Sequence, residues 1–475
     1  MESGIIVNGN RGGRILVLND FRYQKNKLSA NRIIIICGLK TCRAYLKTSR
    51  FPLDIDDEQN FHVFSIDHHN HPPQSDVINR AKFRDKVREK ITQDPTKPLK
   101  RQYNLSVIEH MQGGGDREYN VDEYHTLKSM FSRTRANCLP ERPDTIEDVE
   151  IYGQWSRTWN DKRFLLELDN DWEYAVFSTD RNLITLSQCK EIYIDATFRS
   201  TPAPYEQVFN ILGRFHGFVI PLVTAVMGQR QIGNYRQILQ VVKRRIRQLG
   251  SRWRPRLMIC DFEQALISSL ETEFPNAEVR GCYFHFLQNL WKHVQTLGLS
   301  IPYGRSRELK KLIRKIMSIG YLPSAIVRMN FFNLKHDPNT RRLVVLFPAL
   351  RNWINYVETT YIVGNWAPRM WNVFDRNMSQ RTNNNIESFH RQFNLMVEVR
   401  HPSLWVFIRK LKDMQLSTKR TTINAMNGRN PPARKRKWKL LENKLVQLKQ
   451  DYLNGNRTID SFWNAASRCI GYNGN

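Results

Sequence analysis

From residue 191 onward the chain alternates short apolar segments with stretches of helical periodicity, and that order constrains the fold more than any other feature. Residues 191–195 read as a strand, and residues 207–215 and 217–227 as a hairpin turned at His216-Gly217. Residues 234–249 place Ile238, Leu239, Val242, Ile246 and Leu249 at helical spacing. Leu257-Met258-Ile259-Cys260 is a short buried strand. A helix to about Phe274, a strand at Ala277-Glu278-Val279 and a helix from about Phe284 follow. Three strands, helix, strand, helix, strand, helix predict a mixed sheet flanked by helices. Phe164-Leu165-Leu166 and Tyr174-Ala-Val-Phe177 are apolar strands ahead of it.

Two of these strands end in acid: Ile-Tyr-Ile-Asp195-Ala-Thr-Phe and Met-Ile-Cys-Asp261-Phe-Glu. A third acid, Glu387, stands in Arg-Thr-Asn-Asn-Asn-Ile-Glu387-Ser-Phe-His, where Asn383, Asn384 and Asn385 make a natural helix start. A single Asp closing a strand is ordinarily the cap of the next helix. Convergence argues otherwise here. In the ribonuclease-H-like arrangement that this element order fits, the first and fourth strands are neighbours, so Asp195 and Asp261 are expected side by side. Ionised carboxylates that close repel, and divalent cations relieve the repulsion. A pair of such ions can drive in-line displacement at phosphorus.

The charge names a partner for that chemistry. There are 73 Lys plus Arg against 45 Asp plus Glu, a formal net charge of +28, and 41% hydrophobic content marks a folded chain. Such an excess points to a nucleic acid, with acidic membranes or proteins as the alternative partners; double-stranded DNA is the expected one once the resemblance below is added. The longest apolar stretches, at Ile33-Ile34-Ile35-Ile36 and residues 217–228, fall short of the ~20 residues a span needs. The N-terminus lacks the basic start and apolar run of a signal peptide. Seven scattered cysteines form no disulfide framework and suit a reducing setting, where a thiol pair reads first as a metal site.

Four motifs carry a more specific resemblance: Asp195-Ala-Thr-Phe, Asp261-Phe-Glu-Gln-Ala, Gly281-Cys-Tyr-Phe-His285 and Arg381-Thr-Asn-Asn-Asn-Ile-Glu387-Ser-Phe-His390. In order and spacing, residues 140–410 resemble the Mutator-like element transposases. The resemblance implies a ribonuclease-H-like catalytic core with an all-α insertion before the glutamate. It also implies an Asp-Asp-Glu triad for Mg²⁺ or Mn²⁺, with Asp195 bridging two ions and Asp261 and Glu387 each completing one site. The implied reaction is water attack at a transposon end, then attack of the freed 3′-hydroxyl on target DNA, by a homo-oligomer assembled on DNA. Cys282 and His285, also shared with that family, have the spacing of a zinc half-site; the alternative is plain packing at a helix start. His390, one turn past Glu387, either orients a phosphate or satisfies local hydrogen bonds.

Nearer the N-terminus, Cys37-x4-Cys42 and His69-x-His71 form a two-Cys, two-His set suited to tetrahedral zinc, with His62 and His68 as alternative ligands. Strands are expected at Ile15-Leu16-Val17-Leu18, residues 32–36, Ala44-Tyr45-Leu46 and residues 61–66. With Phe21-x-Tyr23, Cys42-Arg-Ala44 and His69-Asn-His71-Pro, the segment resembles a FLYWCH-type zinc finger, departing from it at Ile35 where that family has Trp. The resemblance implies a small β-rich, zinc-dependent DNA-binding domain.

Two basic runs complete the reading. Lys243-Arg244-Arg245-Ile-Arg247, followed by Arg252-Trp-Arg-Pro-Arg256, would neutralise phosphates if exposed, or is a solvated helix face. Arg434, Lys435, Arg436 and Lys437, with Lys439, are compact enough for nuclear import or a phosphate anchor, so the nucleus is the expected location. The expected division is a zinc-binding domain at 14–75 and a connector with helical segments at 76–150. The core follows at 151–300, with a helical insertion at 301–380, the last catalytic helix at 381–410 and a basic tail at 411–475. A host-adapted DNA-binding regulator with an inactive core is the alternative to an active transposase.

Overall fold

The computed structural model describes residues 5–8, 14–29, 32–48, 63–112, 121–198, 200–376, 384–397, 400–433 and 436–470. They fall into two compact units, residues 1–142 and residues 143–475.

The first unit opens with a six-stranded antiparallel sheet whose strands lie in chain order. These are β1 (Ile5–Asn8), β2 (Arg14–Leu18), β3 (Phe21–Ser29), β4 (Arg32–Cys37), β5 (Tyr45–Thr48) and β6 (Val63–Ile66). Asn19 and Asp20, both at positive φ, make the tight turn from β2 to β3. Among the described residues the sheet buries a small cluster of Leu16, Leu18, Tyr23, Ile35 and Leu46, and Val17 packs with Ile78 and Ala81 of the helix that follows. Strand β3 was not foreseen, because its sequence Phe-Arg-Tyr-Gln-Lys-Asn-Lys-Leu-Ser is too polar to announce a strand. The expected connector is a packed layer: α1 (Ser75–Gln93), α2 (Leu99–Gln112) and α3 (Tyr124–Asn137) share a core of Phe83, Val87, Ile91, Leu99, Tyr103, Leu127 and Phe131.

The second unit is built on a seven-stranded sheet. Its strands are β7 (Leu165–Asp169), β8 (Tyr174–Phe177), β9 (Glu191–Thr197), β10 (Gln207–Phe215), β11 (Phe218–Met227), β12 (Leu257–Cys260) and β13 (Glu278–Gly281). Their spatial order is β13-β12-β9-β10-β11-β8-β7. The hairpin β10–β11 turns at His216 and Gly217, both at positive φ, as the sequence predicts. Strands β9 and β12, first and fourth in the predicted order, are parallel neighbours. Helices α4 (Asp180–Gln188), α5 (Ile232–Gln248) and α6 (Gln264–Glu273) bury Leu183, Leu186, Ile238, Leu239, Val242, Ile246, Leu266 and Leu270 in the core of this sheet.

After β13 the chain is helical. Helices α7 (Tyr283–Thr296), α8 (Ser300–Arg305), α9 (Arg307–Met317), α10 (Val327–His336), α11 (Pro338–Leu346), α12 (Ala349–Val357) and α13 (Pro368–Trp371) make the expected all-α insertion. Its buried tryptophans satisfy their N–H groups on backbone carbonyls: Trp353 on Leu290 at 3.0 Å, Trp371 on Trp366 at 2.9 Å. Helices α14 (Asn384–Val397) and α15 (Leu404–Met426) then return to the sheet, α14 against β9 and β11 and α15 against β11.

The expected basic tail from 411 is a correction. Helix α15 runs through the proposed boundary, and α16 (Arg436–Leu453) and α17 (Ile459–Ser467) join the core of the insertion through Leu445, Leu448, Phe462 and Trp463. The Trp463 indole donates to Lys315 O at 2.9 Å. Counting charge concealed the apolar spacing Leu441, Leu445, Leu448, Tyr452, which is that of an amphipathic helix.

Candidate functional site

Asp195 is the fifth residue of β9, and Asp261 directly follows β12. The register pairs Leu257 with Glu191, Met258 with Ile192 and Ile259 with Tyr193. Continued by two residues, it brings Asp261 level with Asp195. Asp195 is buried, whereas 46% of the Asp261 side chain is exposed. Each carboxylate accepts from the next backbone N–H, Asp195 from Ala196 at 2.9 Å and Asp261 from Phe262 at 2.6 Å. Phe262 anchors its acid from behind. It meets Tyr361 and Trp366 edge-on and lies over Gly281, where a Cβ would come within 2.5 Å of the ring.

An imidazole stands between the acids. His285, in the first turn of α7, has Nε2 4.0 Å from Asp195 Oδ1 and Nδ1 3.5 Å from Asp261 Oδ1. Burial favours its neutral form, but Cys282, Asp261 and Asp195 outweigh that and push its pKa up to about 10. The positive end of α7 adds to the field that these carboxylates meet. Cys282 is buried at the N-cap of α7, His285 turns to the acids, and among the described residues no further ligand joins them in a compact metal set.

The sequence reading missed Asn210. It lies directly opposite Asp195 on β10, with Thr224 opposite it on β11, and accepts from the Thr224 hydroxyl at 2.9 Å. Its Nδ2 is buried without a partner among the described residues. A lone amide in the otherwise apolar run Val-Phe-Asn-Ile-Leu was the available signal. Arg376 was also missed. Buried, it donates to Gly281 O at 3.2 Å and Met370 O at 2.6 Å, and burial pushes its pKa down to about 10. It ties the end of β13 to α13.

The backbone of Glu387 lies in α14, the helix against β9 and β11; the side chains of Glu387 and His390 are outside the described residues, as is Asn383.

The N-terminal sheet assembles a second cluster. The ligand atoms of Cys37, Cys42, His69 and His71 all lie within 4.8 Å of one another. Cys37 Sγ is 3.2 Å from His71 Nε2, Cys42 Sγ is 3.5 Å from His69 Nδ1, and the two imidazole nitrogens are 3.2 Å apart. A tetrahedron with arms of 2.0–2.3 Å has edges of about 3.3–3.8 Å, so the four atoms are close to metal-ready spacing. Cys42 N donates to Leu39 O and Cys37 N to Ala44 O, closing the turn that brings the thiols together. Outer contacts select the tautomers. His71 Nδ1 lies 2.8 Å from Pro72 O, which can only accept, so the proton sits there and Nε2 presents its lone pair. His69 Nε2 meets the Tyr23 hydroxyl at 2.8 Å, leaving Nδ1 for the cluster, and Phe21 stacks on the same ring at 3.7 Å. Burial and His71 lower the pKa of His69. Burial opposes the Cys42 thiolate, but backbone N–H groups of Asn70 and Ala44 prevail and hold its pKa below the ordinary value. Burial, with Cys42 beside it, raises the pKa of Cys37 instead, so the shifts favour the deprotonated form of His69 and Cys42 and oppose it at Cys37. His68 is exposed and stands apart from the cluster; His62 is outside the described residues.

The basic residues divide. Arg244 is paired with Glu167, and Arg245 donates to Gln248 and Leu166 O, so both are committed within the unit. Arg247 is exposed and has no ion-pair partner among the described residues. Arg436 and Lys437 open α16 on the surface; Arg434 and Lys435 lie outside the described residues.

Residues 191–289 match the family model of the MULE transposase domain. That segment runs from β9 into α7 and contains Asp195, Asp261, Cys282 and His285; Glu387 lies beyond it. No curated protein matches the chain.

Proposed function

We propose that this chain is a DNA transposase of the Mutator-like type, cutting and joining phosphodiesters at transposon ends with a ribonuclease-H-like core. One observation carries the reading: Asp195 and Asp261 stand level on neighbouring parallel strands inside the segment that matches the transposase domain. The strand order β13-β12-β9-β10-β11 supports the ribonuclease-H-like assignment.

The donor set fits hard divalent cations. Asp195 and Asp261 offer carboxylate oxygens, and Glu387 on α14 would complete the set for Mg²⁺ or Mn²⁺. Bound there, such ions supply a nucleophile at neutral pH and stabilise charge on the attacking and leaving oxygens. The chain's own residues set the stage. The half-exposed Asp261 faces incoming DNA, while buried Asp195 is held by Ala196 N–H. The unpartnered Asn210 amide beside Asp195 is a donor in reserve for a phosphate or water oxygen. The His285 imidazolium relieves carboxylate repulsion when no other cation does so.

In the same reading, Cys37, Cys42, His69 and His71 hold zinc, and the FLYWCH-like sheet around them recognises the transposon end. Arg436 and Lys437 belong to a nuclear import signal. The test is cleavage and strand transfer on duplexes carrying the element's own ends. Asp195→Asn and Asp261→Asn are expected to abolish both steps in Mg²⁺ or Mn²⁺ while DNA binding persists. Wild-type rates in either variant would refute the assignment.

A further inference from the structure

We infer that the loop entering β12 is a phosphate-tracking comb for duplex DNA, separate from the carboxylate site; the inference rests on the reading that the chain acts on DNA. Helix α5 ends at Gly250, whose φ of +76° turns the chain back, and Ser251 N–H closes the end on Ile246 O. The next five residues alternate strictly. Trp253 and Pro255 are buried, while Arg252, Arg254 and Arg256 are exposed. The anchor is Trp253, 6% exposed, its ring edge-on to Phe274 at 4.7 Å. The stretch belongs to no strand and bends at Arg256, so what the alternation gives is three exposed guanidiniums in one short loop, dense enough to meet phosphates that recur every ~3.4 Å of axial rise along one DNA strand.

These guanidiniums are unspent. None of Arg247, Arg252, Arg254 and Arg256 has an ion-pair or hydrogen-bond partner among the described residues. The acids flanking the loop are engaged elsewhere: Glu273 with Lys243 and Arg236, Glu278 with Arg280. Arg247, Arg252 and Arg254 also line an open cleft of about 650 Å³ with Gly250 and Trp253. A surface meant only for solubility would intersperse both signs; exposed arginines clustered in one loop, two of them lining a cleft with Arg247, fit a polyanion.

Position separates this surface from the chemistry. Arg256 precedes β12 and Asp261 follows it, so the comb lies about 16 Å along the strand from the carboxylates. That is about five phosphate steps, too far to hold the phosphodiester being cut. The comb would grip DNA flanking the cut or a second duplex, and it reads no base.

The test measures binding of the full chain to a 30-base-pair duplex of arbitrary sequence (about three helical turns, long enough for several phosphate contacts) as salt is varied. The variants are Arg252→Gln/Arg254→Gln/Arg256→Gln and the matching triple Lys. The Gln variant is expected to weaken binding and to flatten the log–log salt slope by about 2.7, at 0.9 per phosphate contact. The Lys variant keeps the charges and should retain most of the slope, which excludes a folding defect as the cause. A wild-type slope in the Gln variant overturns the comb. Asp195→Asn, assayed for cleavage in parallel, judges the transposase reading independently: undiminished cleavage there refutes that reading, whatever the comb does.

Discussion

The two ligand clusters of this chain are built on opposite plans. Cys37, Cys42, His69 and His71 come from one short stretch beside a sheet whose described core clusters are small: Leu16, Leu18, Tyr23, Ile35 and Leu46, and Val17 with Ile78 and Ala81. Asp195 and Asp261 come from strands far apart in the chain, on a sheet with an extensive core of its own. The core clusters of the small sheet are small, so under the proposed reading an ion held by the four ligands would add to the stability of its fold. The acids of the large sheet are placed by the pairing of its strands, and the His285 imidazole lies between them. In the proposed reading the first cluster would use an ion to support structure, and the second would use structure to support an ion.

The sharpest way to break this contrast is to remove the N-terminal ligands. Cys37→Ser, or a chelator, is expected to forfeit about 10 kcal/mol or more of apparent metal-binding energy. Hydrogen exchange should then show β2 to β5 unprotected while β9 to β12 remain protected. Unchanged protection of β2 to β5 would show that the small sheet stands without metal. For the acids the opposite outcome is expected. Asp261→Asn should slow cleavage roughly a thousandfold, corresponding to ~4 kcal/mol of transition-state stabilisation, with the exchange pattern of the sheet intact. If β9 and β12 lose protection in that variant, the acids are structural and the contrast fails.

A smaller effect probes the outer contacts. Tyr23→Phe removes the hydroxyl that meets His69 Nε2 and should weaken metal affinity 10- to 100-fold in a chelator competition, without unfolding the sheet at saturating metal. The smallest concerns the larger unit's independence from its site. Burial would raise the pKa of Glu273, but Gln240, Lys243 and Arg236 prevail and hold it below the ordinary carboxylate value. A depressed pKa stabilises the fold above the unfolded value near 4.5, and the gain is lost as pH falls through the lowered folded value. Glu273→Gln should therefore cost about 1–2 kcal/mol in urea unfolding at pH 7, and progressively less as pH falls through the acid range. An equal cost at both ends of that range would show that packing rather than charge is at stake.

Much of the candidate site was legible because its signals are local. A carboxylate closing an apolar strand and thiols and imidazoles at metal spacing need only a few residues of context. The amide of Asn210 was visible in its strand but had no meaning until β10 was known to lie beside β9. Strand β3 escaped because its sequence is mostly polar, although Tyr23 enters the core and its backbone pairs with β2 and β4. Helices α16 and α17 escaped because a basic surface conceals a narrow apolar stripe.

By itself the sequence determined the elements, their order and the chemistry each could carry, since periodicity and residue type act over a few residues. It placed Asp195 and Asp261 at strand ends and the four N-terminal ligands in one segment. Only the tertiary structure decided which charges are free and which are committed. Arg244 and Arg245 look no different in sequence from Arg252 and Arg254, yet Glu167 and Leu166 O engage the first pair and nothing described engages the second. The same holds for His285, whose place between two carboxylates follows from the parallel pairing of β9 and β12 and from no spacing in the sequence. An ion pair depends on what the fold brings within a few ångströms, and no local pattern records that.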